Sequence, residues 1–256
     1  MDSPRPPLLD VQDLHKSFGG IRAVNGTTLA VREQSIIGLI GPNGAGKTTL
    51  FNLIAGVYRP EAGRIIFDSQ EIQGLLPYEI VGLGAVKTFQ IPREFRNVTV
   101  LENLMLAAKG NAGERFSQVF LNGRKVRKQE RETRERARGL LAFFELDRLE
   151  MELARNLSGG QKKLLELARA LMTDPRLIML DEPVAGVNRT LAAKILDQVE
   201  ELRQGGLTFF IIEHDMDVVM NRVDSVIVMH EGRVLAEGTP NEIKANEEVI
   251  ETYLGM

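Results

Sequence analysis

Residues 41–49 are the part of the sequence that most constrains how this chain can fold. They read Gly-Pro-Asn-Gly-Ala-Gly-Lys-Thr-Thr, which satisfies the P-loop pattern of a glycine, four residues and then Gly-Lys-Thr. Residues 35–40 before the loop have the apolar character of a short buried strand, and residues 49–56 after it have the pattern of a helix. An ordinary glycine-rich turn is the alternative, and the two correct flanks argue against it.

The residue types in this loop suit a polyphosphate ligand. Glycines let the backbone curl until its N–H groups point inward, toward an anion at the N-terminus of the following helix. Lys47 would place a cation on the outer phosphates, and the Thr48 hydroxyl is a ligand that magnesium accepts. The loop therefore predicts binding of a nucleotide polyphosphate together with magnesium.

Composition excludes several other classes of protein. The 256 residues are 43% hydrophobic and 26% charged, as in ordinary soluble domains, and are enough to bury a full core. A formal net charge of -3 argues against a protein that coats nucleic acid. With no cysteine there can be no disulfide or thiolate metal site. No apolar run approaches the ~20 residues that span a bilayer, so we expect a soluble chain.

A second predicted anion site lies at residues 157–161, Leu-Ser-Gly-Gly-Gln, which run into helical apolar spacing over residues 162–172. Ser158 is a suitable N-cap for that helix. The two glycines leave the helix N-terminus open to an anion. Taken alone this is a capping signal, and its meaning depends on the acidic segment that follows.

That acidic segment is an apolar strand pattern at residues 176–182, which ends in Asp181 and Glu182. Carboxylates at the carboxyl end of a parallel strand face the ligand crevice of an open α/β sheet. His214 follows another apolar strand pattern, at residues 207–212, in the same way. We therefore expect the three side chains to emerge on one rim of the sheet.

The N-terminal third is rich in strand patterns. Residues 8–14 favour a strand, and a turn at residues 18–20 leads into a second one near residues 21–24. Residues 27–32 favour another strand before the P-loop strand. Phe18, at the turn, can stack on a nucleobase, and the alternative is a core phenylalanine beneath a hairpin.

Between the P-loop and the second anion site the pattern changes from strand to helix. A strand over residues 85–92 contains Gln90, which could orient a water or complete a magnesium shell. Apolar spacing then predicts helices at residues 100–109 and 140–149. Residues 124–138 between them hold eight basic and three acidic side chains. We interpret this run as a solvated helix; a surface near anionic lipid headgroups or an acidic partner is the alternative.

The last third alternates helix and strand again. Residues 190–203 have helical spacing, and residues 225–229 and 233–237 form a hairpin pattern around Glu231 and Gly232. Short helices are predicted from residue 238 to the end.

The P-loop, Gln90, residues 157–161, the Asp181-Glu182 pair and His214 occur in the order that resembles the nucleotide-binding domain of ABC transporters, across essentially the whole chain. The resemblance implies an α/β fold, with a P-loop NTPase core of the ABC-ATPase type, an N-terminal antiparallel β subdomain and an inserted α-helical subdomain. The core with its β subdomain would comprise residues 1–92 and 157–256. Residues 93–156 would form the helical subdomain that leads into the signature motif.

The resemblance also implies a role for each matching residue, with ATP and Mg²⁺ as the cofactors. Glu182, His214 and Gln90 would be catalytic: Glu182 as the general base, His214 as the switch residue at the γ-phosphate. Thr48, Gln90 and Asp181 would hold magnesium. The residues expected to contact nucleotide are Phe18, Val24, Gly41, Pro42, Asn43, Gly44, Ala45, Gly46, Lys47, Thr48, Thr49, Ser158, Gly159, Gly160 and Gln161. Of these, Ser158, Gly159 and Gly160 would close on the nucleotide of the opposite subunit.

Within that family, Thr88-Phe89-Gln90, the long insert before the signature and the C-terminal residues 238–255 are similar to the ATPase subunits of branched-chain and related amino acid importers. The resemblance implies transmembrane permease subunits, a second ATPase subunit in a homodimer or a heterodimer with a paralogue, indirectly a periplasmic substrate-binding protein, and no nucleic acid. It places the chain peripherally on the cytoplasmic face of the inner membrane. Asn188 departs from the Asp that many members carry in the D-loop.

Three alternatives share these motifs. A DNA-repair or chromosome-structuring ATPase would insert a long heptad coiled coil between P-loop and signature, and this insert is short and lacks heptads. A ribosome-associated factor would carry two cassettes, whereas this chain has one. The third is the ATPase of another transport system, for a different small solute or for lipid or lipopolysaccharide export.

Overall fold

A computed structural model of the chain describes residues 6–88, 94–109, 123–214 and 216–254. Gln90 lies outside these ranges. The chain divides into two compact units, one of residues 1–90, 176–186 and 192–256 and the other of residues 91–175 and 187–191. The bounds predicted above for the helical subdomain stay a prediction.

The first unit begins with an antiparallel sheet, in the strand order β2-β1-β4-β5. Its strands are β1 (Leu9–Phe18), β2 (Ile21–Val31), β4 (Ala62–Phe67) and β5 (Gln70–Glu71). The prediction of two strands between residues 21 and 32 was wrong, because β2 is one continuous strand over nearly all of these residues. Leu14 pairs with Thr27 and His15 with Asn25, so Gly26 is accommodated as an extra residue in the ladder.

The second sheet of this unit has the strand order β10-β9-β3-β8-β7-β6. Its strands are β3 (Ile36–Ile40), β6 (Ala85–Lys87), β7 (Leu177–Asp181), β8 (Thr208–Ile212), β9 (Ser225–His230) and β10 (Arg233–Gly238). Only β10 is antiparallel to its neighbour. Every residue of β3, β7 and β8 is buried, as expected of central parallel strands.

Register brings the carboxyl ends of the central strands together. Ile212 pairs with Leu39 on one side and with Asp181 on the other. The P-loop, the Asp181-Glu182 pair and His214 therefore leave the sheet at one edge, as the sequence predicted.

Helices cover this sheet. They are α1 (Lys47–Ile54), α2 (Pro77–Leu83), α6 (Arg189–Gln204), α7 (Met216–Arg222), α8 (Pro240–Ala245) and α9 (Glu247–Leu254). The apolar side of α1 packs on the sheet, where the ring centroids of Phe51 and Phe210 are 4.9 Å apart. The short α2 was not predicted, although Pro77 at its first turn is a recognised start signal.

The second unit is helical, with α3 (Val100–Ala107), α4 (Gly123–Phe143), α5 (Gly159–Leu171) and single 3-10 turns at Asp147–Leu149 and Ala154–Asn156. The helix predicted at residues 140–149 was wrong in its bounds. It is the last turn of α4 and ends at Phe143, since Glu145 takes a positive φ of 54°. None of the helices in the described ranges combines the length and apolar character needed to cross a bilayer.

The basic run of residues 124–138 lies within α4, as the interpretation of a solvated helix required. Three i,i+4 ion pairs line the helix, and two further arginines reach acidic partners elsewhere in the same unit. The pairs are Lys128–Glu132, Arg131–Glu135, Arg134–Glu130, Arg136–Asp174 and Arg138–Glu150. Basic side chains that are paired in this way attract an anionic membrane less strongly than unpaired ones would.

Candidate nucleotide-binding site

The P-loop connects β3 to α1 through a backbone that only glycine can follow at two points. Gly41 has a φ of 153°, and a Cβ placed on it would lie 2.2 Å from Met229 O. Gly46 has a φ of 101°, and its Cβ would lie 2.2 Å from Ala23 O. The first and third glycines of the loop are therefore required by close backbone approach as well as by their dihedral angles.

The β9–β10 turn fastens this loop to β2. Gly232 N donates to Ala45 O at 3.0 Å, and Gly232 O accepts from Asn25 N at 2.8 Å and from the buried Thr27 hydroxyl at 2.7 Å. Three segments that are distant in sequence thus hold the loop in one shape. A binding loop fixed in advance loses little conformational freedom when its ligand arrives.

The loop lines a cavity of about 310 Å³. Its lining consists of residues 43–49 together with Ile21 and Ala23. Ile21 and Ala23 were missed by the sequence analysis, which selected Val24. The side chain of Val24 is 1% exposed and belongs to the core, so the structure brings Ala23 to the cavity instead.

Lys47 is 5% exposed, and its ammonium lies over the loop. Nζ donates to Gly41 O at 2.7 Å and to Pro42 O at 2.9 Å. Burial lowers the pKa of Lys47, and the carboxylates of Glu182 and Asp181 oppose that shift. The same cation therefore contacts the loop and interacts electrostatically with both acidic residues at the carboxyl end of β7.

Asp181 ends β7 with a side chain that is 5% exposed. Burial raises the pKa of Asp181, and Lys87, whose Nζ lies 3.5 Å from Asp181 Oδ2, opposes the shift. Lys87 Nζ also donates to Asn52 Oδ1 of α1 at 2.7 Å. Lys87 was missed, although a lysine within a predicted strand just before Gln90 was a signal that could have found it.

Glu182 and His214 meet beyond the ends of β7 and β8. His214 Nε2 lies 2.8 Å from Glu182 Oε1, and the two side chains are 42% and 19% exposed, respectively. Glu182 has a positive φ of 53°, and its N–H donates to Ile212 O at 3.0 Å. The left-handed backbone at Glu182 ends the extended conformation of β7 at the residue that contacts the histidine.

Glu213 supports this pair and was also missed. Its side chain is 3% exposed. Oε1 accepts from Val184 N at 3.3 Å and Oε2 accepts from His214 N at 3.2 Å. One buried carboxylate thus fixes the backbone after both strands.

Phe18 is the last residue of β1 and is 42% exposed. The alternative of a core phenylalanine was therefore wrong. Phe18 pairs with Ile21 across the β1–β2 turn, and Ile21 lines the cavity. The ring stands at the end of the hairpin that borders the P-loop.

The signature residues lie in the second unit, at the start of α5. Ser158 is the N-cap: its Oγ accepts from Gln161 N at 3.3 Å, and Gln161 Oε1 accepts from Ser158 N at 2.9 Å. This reciprocal capping box confirms the predicted N-cap. A Cβ on Gly160 would lie 2.1 Å from Leu191 Cδ2, whereas Gly159 has open space around it.

Asn188, the departure in the D-loop, has a local structural use. Its Oδ1 accepts from Leu191 N at 2.9 Å, in the manner of an N-cap for α6. Asparagine and aspartate serve this role about equally, so the departure leaves the start of α6 intact.

A phosphate-type loop at the N-terminus of a helix, beside a central parallel strand that ends in two carboxylates, defines a P-loop nucleotide-binding ATPase. The family profile described as "ABC transporter" matches residues 24–185, and that described as "Branched-chain amino acid ATP-binding cassette transporter" matches residues 233–255. The chain belongs to the ABC transporter ATP-binding family, in its branched-chain amino acid branch. It is an ABC-type ATPase and binds ATP.

Individual relatives agree with this assignment. The chain is 44% identical, over 97% of its length and 95% of the relative, to a probable branched-chain amino acid transport ATP-binding protein LivG of Archaeoglobus fulgidus. It is 42% identical, over 97% and 98%, to the high-affinity branched-chain amino acid transport ATP-binding protein BraF of Pseudomonas aeruginosa. These names favour the importer over the DNA-repair, ribosomal and exporter alternatives.

Solved structures confirm the predicted fold class. A nucleotide-free ATP-binding cassette from an ABC transporter is 38% identical, with a TM-score of 0.83 over 97% of this chain and 99% of that one. The ADP conformation of an ATP-binding cassette of an ABC transporter is 36% identical, also with a TM-score of 0.83, and the match covers 98% of this chain and 100% of that one.

Proposed function

We propose that this chain hydrolyses ATP, with magnesium, to drive import of branched-chain or related amino acids. The amino acid substrate is taken from the names of relatives that are 42% and 44% identical over nearly the whole chain. The single observation that carries the hydrolytic mechanism is the Glu182–His214 contact of 2.8 Å beside Lys47.

In the proposed reaction Glu182 is the general base and His214 its orienting partner. Glu182 accepts the proton of the attacking water, and the 2.8 Å contact with His214 Nε2 orients the Glu182 carboxylate. The family resemblance implies that His214 responds to the γ-phosphate. Lys47 and the N–H groups of residues 44–49 stabilise the negative charge that spreads over the transferred phosphoryl group. This chain's contribution is thus positioning and charge neutralisation.

The oxygen donors of the site fit magnesium. Asp181 supplies a buried carboxylate and Thr48 an exposed hydroxyl at the first turn of α1, and Mg²⁺ prefers such hard oxygen ligands. We assign both to the metal, with Gln90 as a third ligand on the strength of the family resemblance. When bound, magnesium supplies Lewis-acid neutralisation of the phosphate oxygens.

We further propose that two ATPase subunits close on two ATP molecules, with residues 158–161 of one subunit against the P-loop of the other. The open space around Gly159 and the N-terminus of α5 support an anion contact at this place. ATP would favour closure and hydrolysis would release it. The partner is a second copy of this chain or a paralogue.

Transport by such a dimer requires partners that form the pathway. We assign transmembrane permease subunits as direct partners and a periplasmic substrate-binding protein as an indirect one, and place the chain on the cytoplasmic face of the inner membrane. The support is the transport function named for the relatives. Copurification from solubilised membranes, followed by substrate-stimulated ATPase assays on the reconstituted complex, tests these assignments.

The hydrolytic role is tested by Glu182→Gln. We expect a loss of turnover of about 100-fold or more, as for removal of a general base, with unchanged ATP affinity and an ATP-stabilised dimer detectable by light scattering. Glu237→Gln, at an exposed position of β10, is the matched control and should behave as wild type. Turnover retained in Glu182→Gln would remove Glu182 from the base role.

A further inference from the structure

The end of the β1–β2 hairpin carries Phe18, which the family resemblance places against the nucleobase. That contact belongs to the proposed function, as part of ATP binding. Phe18 is 42% exposed and pairs with Ile21, which lines the P-loop cavity. A half-exposed ring on a hairpin end rotates about two side-chain bonds. Stacking on a base therefore depends on what holds the ring in one orientation.

Tyr58 contacts the Phe18 ring edge to face. The ring centroids are 5.2 Å apart and the planes make an angle of 70°, within the range that aromatic pairs prefer. The backbone of Tyr58 is itself fixed, because Val57 N and Tyr58 N both donate to Asn52 O near the end of α1, at 2.8 and 3.2 Å. The segment that directly follows the P-loop helix, and is hydrogen-bonded to it, thus provides the residue that contacts Phe18.

Glu61 fixes the end of β1 from the same segment. Its N–H donates to His15 O at 2.9 Å, and Oε1 accepts from Ser17 N at 3.0 Å. The Ser17 N–H holds the pKa of Glu61 below its usual value. The same carboxylate lies 3.8 Å from Lys16 Nζ, which in turn lies 5.4 Å from the Phe18 ring centroid. Four successive residues of β1, residues 15–18, thereby contact Tyr58 or Glu61.

We propose that Tyr58 is a positioning residue for the nucleobase, holding Phe18 in the orientation that stacks, and that Glu61 anchors the strand end on which Phe18 stands. This inference rests on the proposed function, in which Phe18 contacts the base. Tyr58 acts through Phe18 and needs no contact of its own with the nucleotide. Losing an edge-to-face contact should lower the occupancy of the stacking orientation by about two- to tenfold.

The test compares a ligand that contains a nucleobase with one that contains only phosphates. Isothermal titration calorimetry on the full chain measures the affinity for ATP and for inorganic tripolyphosphate, which occupies only the phosphate loop. Phe18→Ala should lower the affinity for ATP by about five- to 100-fold, the range for loss of base stacking, and leave the affinity for tripolyphosphate unchanged. Tyr58→Ala should lower the affinity for ATP by about two- to tenfold, and the affinity for tripolyphosphate should again be unchanged.

Further variants separate positioning from damage to the fold. Tyr58→Phe keeps the ring edge and should restore wild-type ATP affinity. In the Phe18→Ala background, Tyr58→Ala should have no additional effect, because the residue through which it acts is gone. Glu61→Gln keeps the acceptor for Ser17 N–H and should bind ATP better than Glu61→Ala.

The outcomes distinguish this inference from the proposed function. If Phe18→Ala leaves ATP affinity unchanged, the base-stacking part of the proposed function fails. If Phe18→Ala weakens ATP while Tyr58→Ala does not, the positioning inference alone is overturned. Equal losses for ATP and tripolyphosphate in Tyr58→Ala, or a further loss in the double variant, would overturn it too.

Discussion

His214 Nε2 lies 2.8 Å from Glu182 Oε1, although the two residues follow different strands of the sheet. The contact exists because β7 and β8 are parallel neighbours in register, with Asp181 opposite Ile212, so that the residues after each strand leave at the same edge. Glu182 itself has a positive φ, which ends the extended strand at the residue that contacts the histidine. Sheet register and one unusual dihedral angle together create the pair that we assign to catalysis.

Replacing His214 by alanine should therefore reduce turnover by about 100-fold, since Glu182 loses the group that orients it. ATP affinity should change little, because the P-loop is untouched. Steady-state phosphate release and calorimetric ATP binding are the measurements. His230→Ala, at the end of β9, is the control and should retain turnover. Equal turnover in the two variants would separate His214 from the reaction.

Replacing Lys47 by alanine should weaken ATP binding itself. Lys47 offers the loop a buried ammonium, and charge-assisted hydrogen bonds to phosphate of about 1.5–3 kcal/mol correspond to an affinity loss of roughly 10- to 100-fold. Calorimetric titration with ATP measures the loss, and Lys244→Ala at an exposed position of α8 should show none. Unchanged affinity in a folded Lys47→Ala chain would contradict the phosphate-cradle assignment.

Two glycines of the P-loop should differ in their tolerance of alanine. Gly44→Ala incurs only the left-handed backbone strain of about 1–2 kcal/mol, because a Cβ there would meet nothing within 4 Å. Gly46→Ala adds an overlap with Ala23 O at 2.2 Å and should lose at least about 3 kcal/mol in free energy of unfolding. Urea denaturation of the nucleotide-free variants measures both. Equal losses would show that the loop relaxes away from β2.

The N-cap of α5 allows the structural and the proposed nucleotide roles of Ser158 to be separated. Ser158→Ala should lose about 1 kcal/mol of stability, because Gln161 N loses its acceptor. Ser158→Asp should restore the cap, since aspartate is an equally good N-cap, while its carboxylate repels phosphate. We expect Ser158→Asp to be as stable as wild type and yet defective in ATP-dependent dimerisation.

Denaturation curves and light scattering with ATP distinguish the two effects of Ser158. If Ser158→Asp is stable and dimerises normally, residues 158–161 do not close on a nucleotide.

The sequence predicted the features that depend on a few consecutive residues. The capping box at Ser158 and the turn at Glu231 and Gly232 were predicted because each is specified by hydrogen bonds or dihedral angles within one short segment. The P-loop was predicted from its local pattern of glycines followed by Lys-Thr. The apolar runs at β3, β7 and β8 were predicted because buried parallel strands are apolar along their whole length.

Tertiary structure decided what depends on partners distant in the chain. Pairing with β1 keeps β2 continuous past Gly26. The register of β7 and β8 places Glu182 next to His214. The approach of β2 to the P-loop places Ala23, and not Val24, at the cavity. Alternation alone fixes neither pairing nor register, because the same pattern suits several partners until the strands are packed. The motifs could therefore be identified from the sequence, whereas the distances between their residues are set by how the strands pair in the folded sheet.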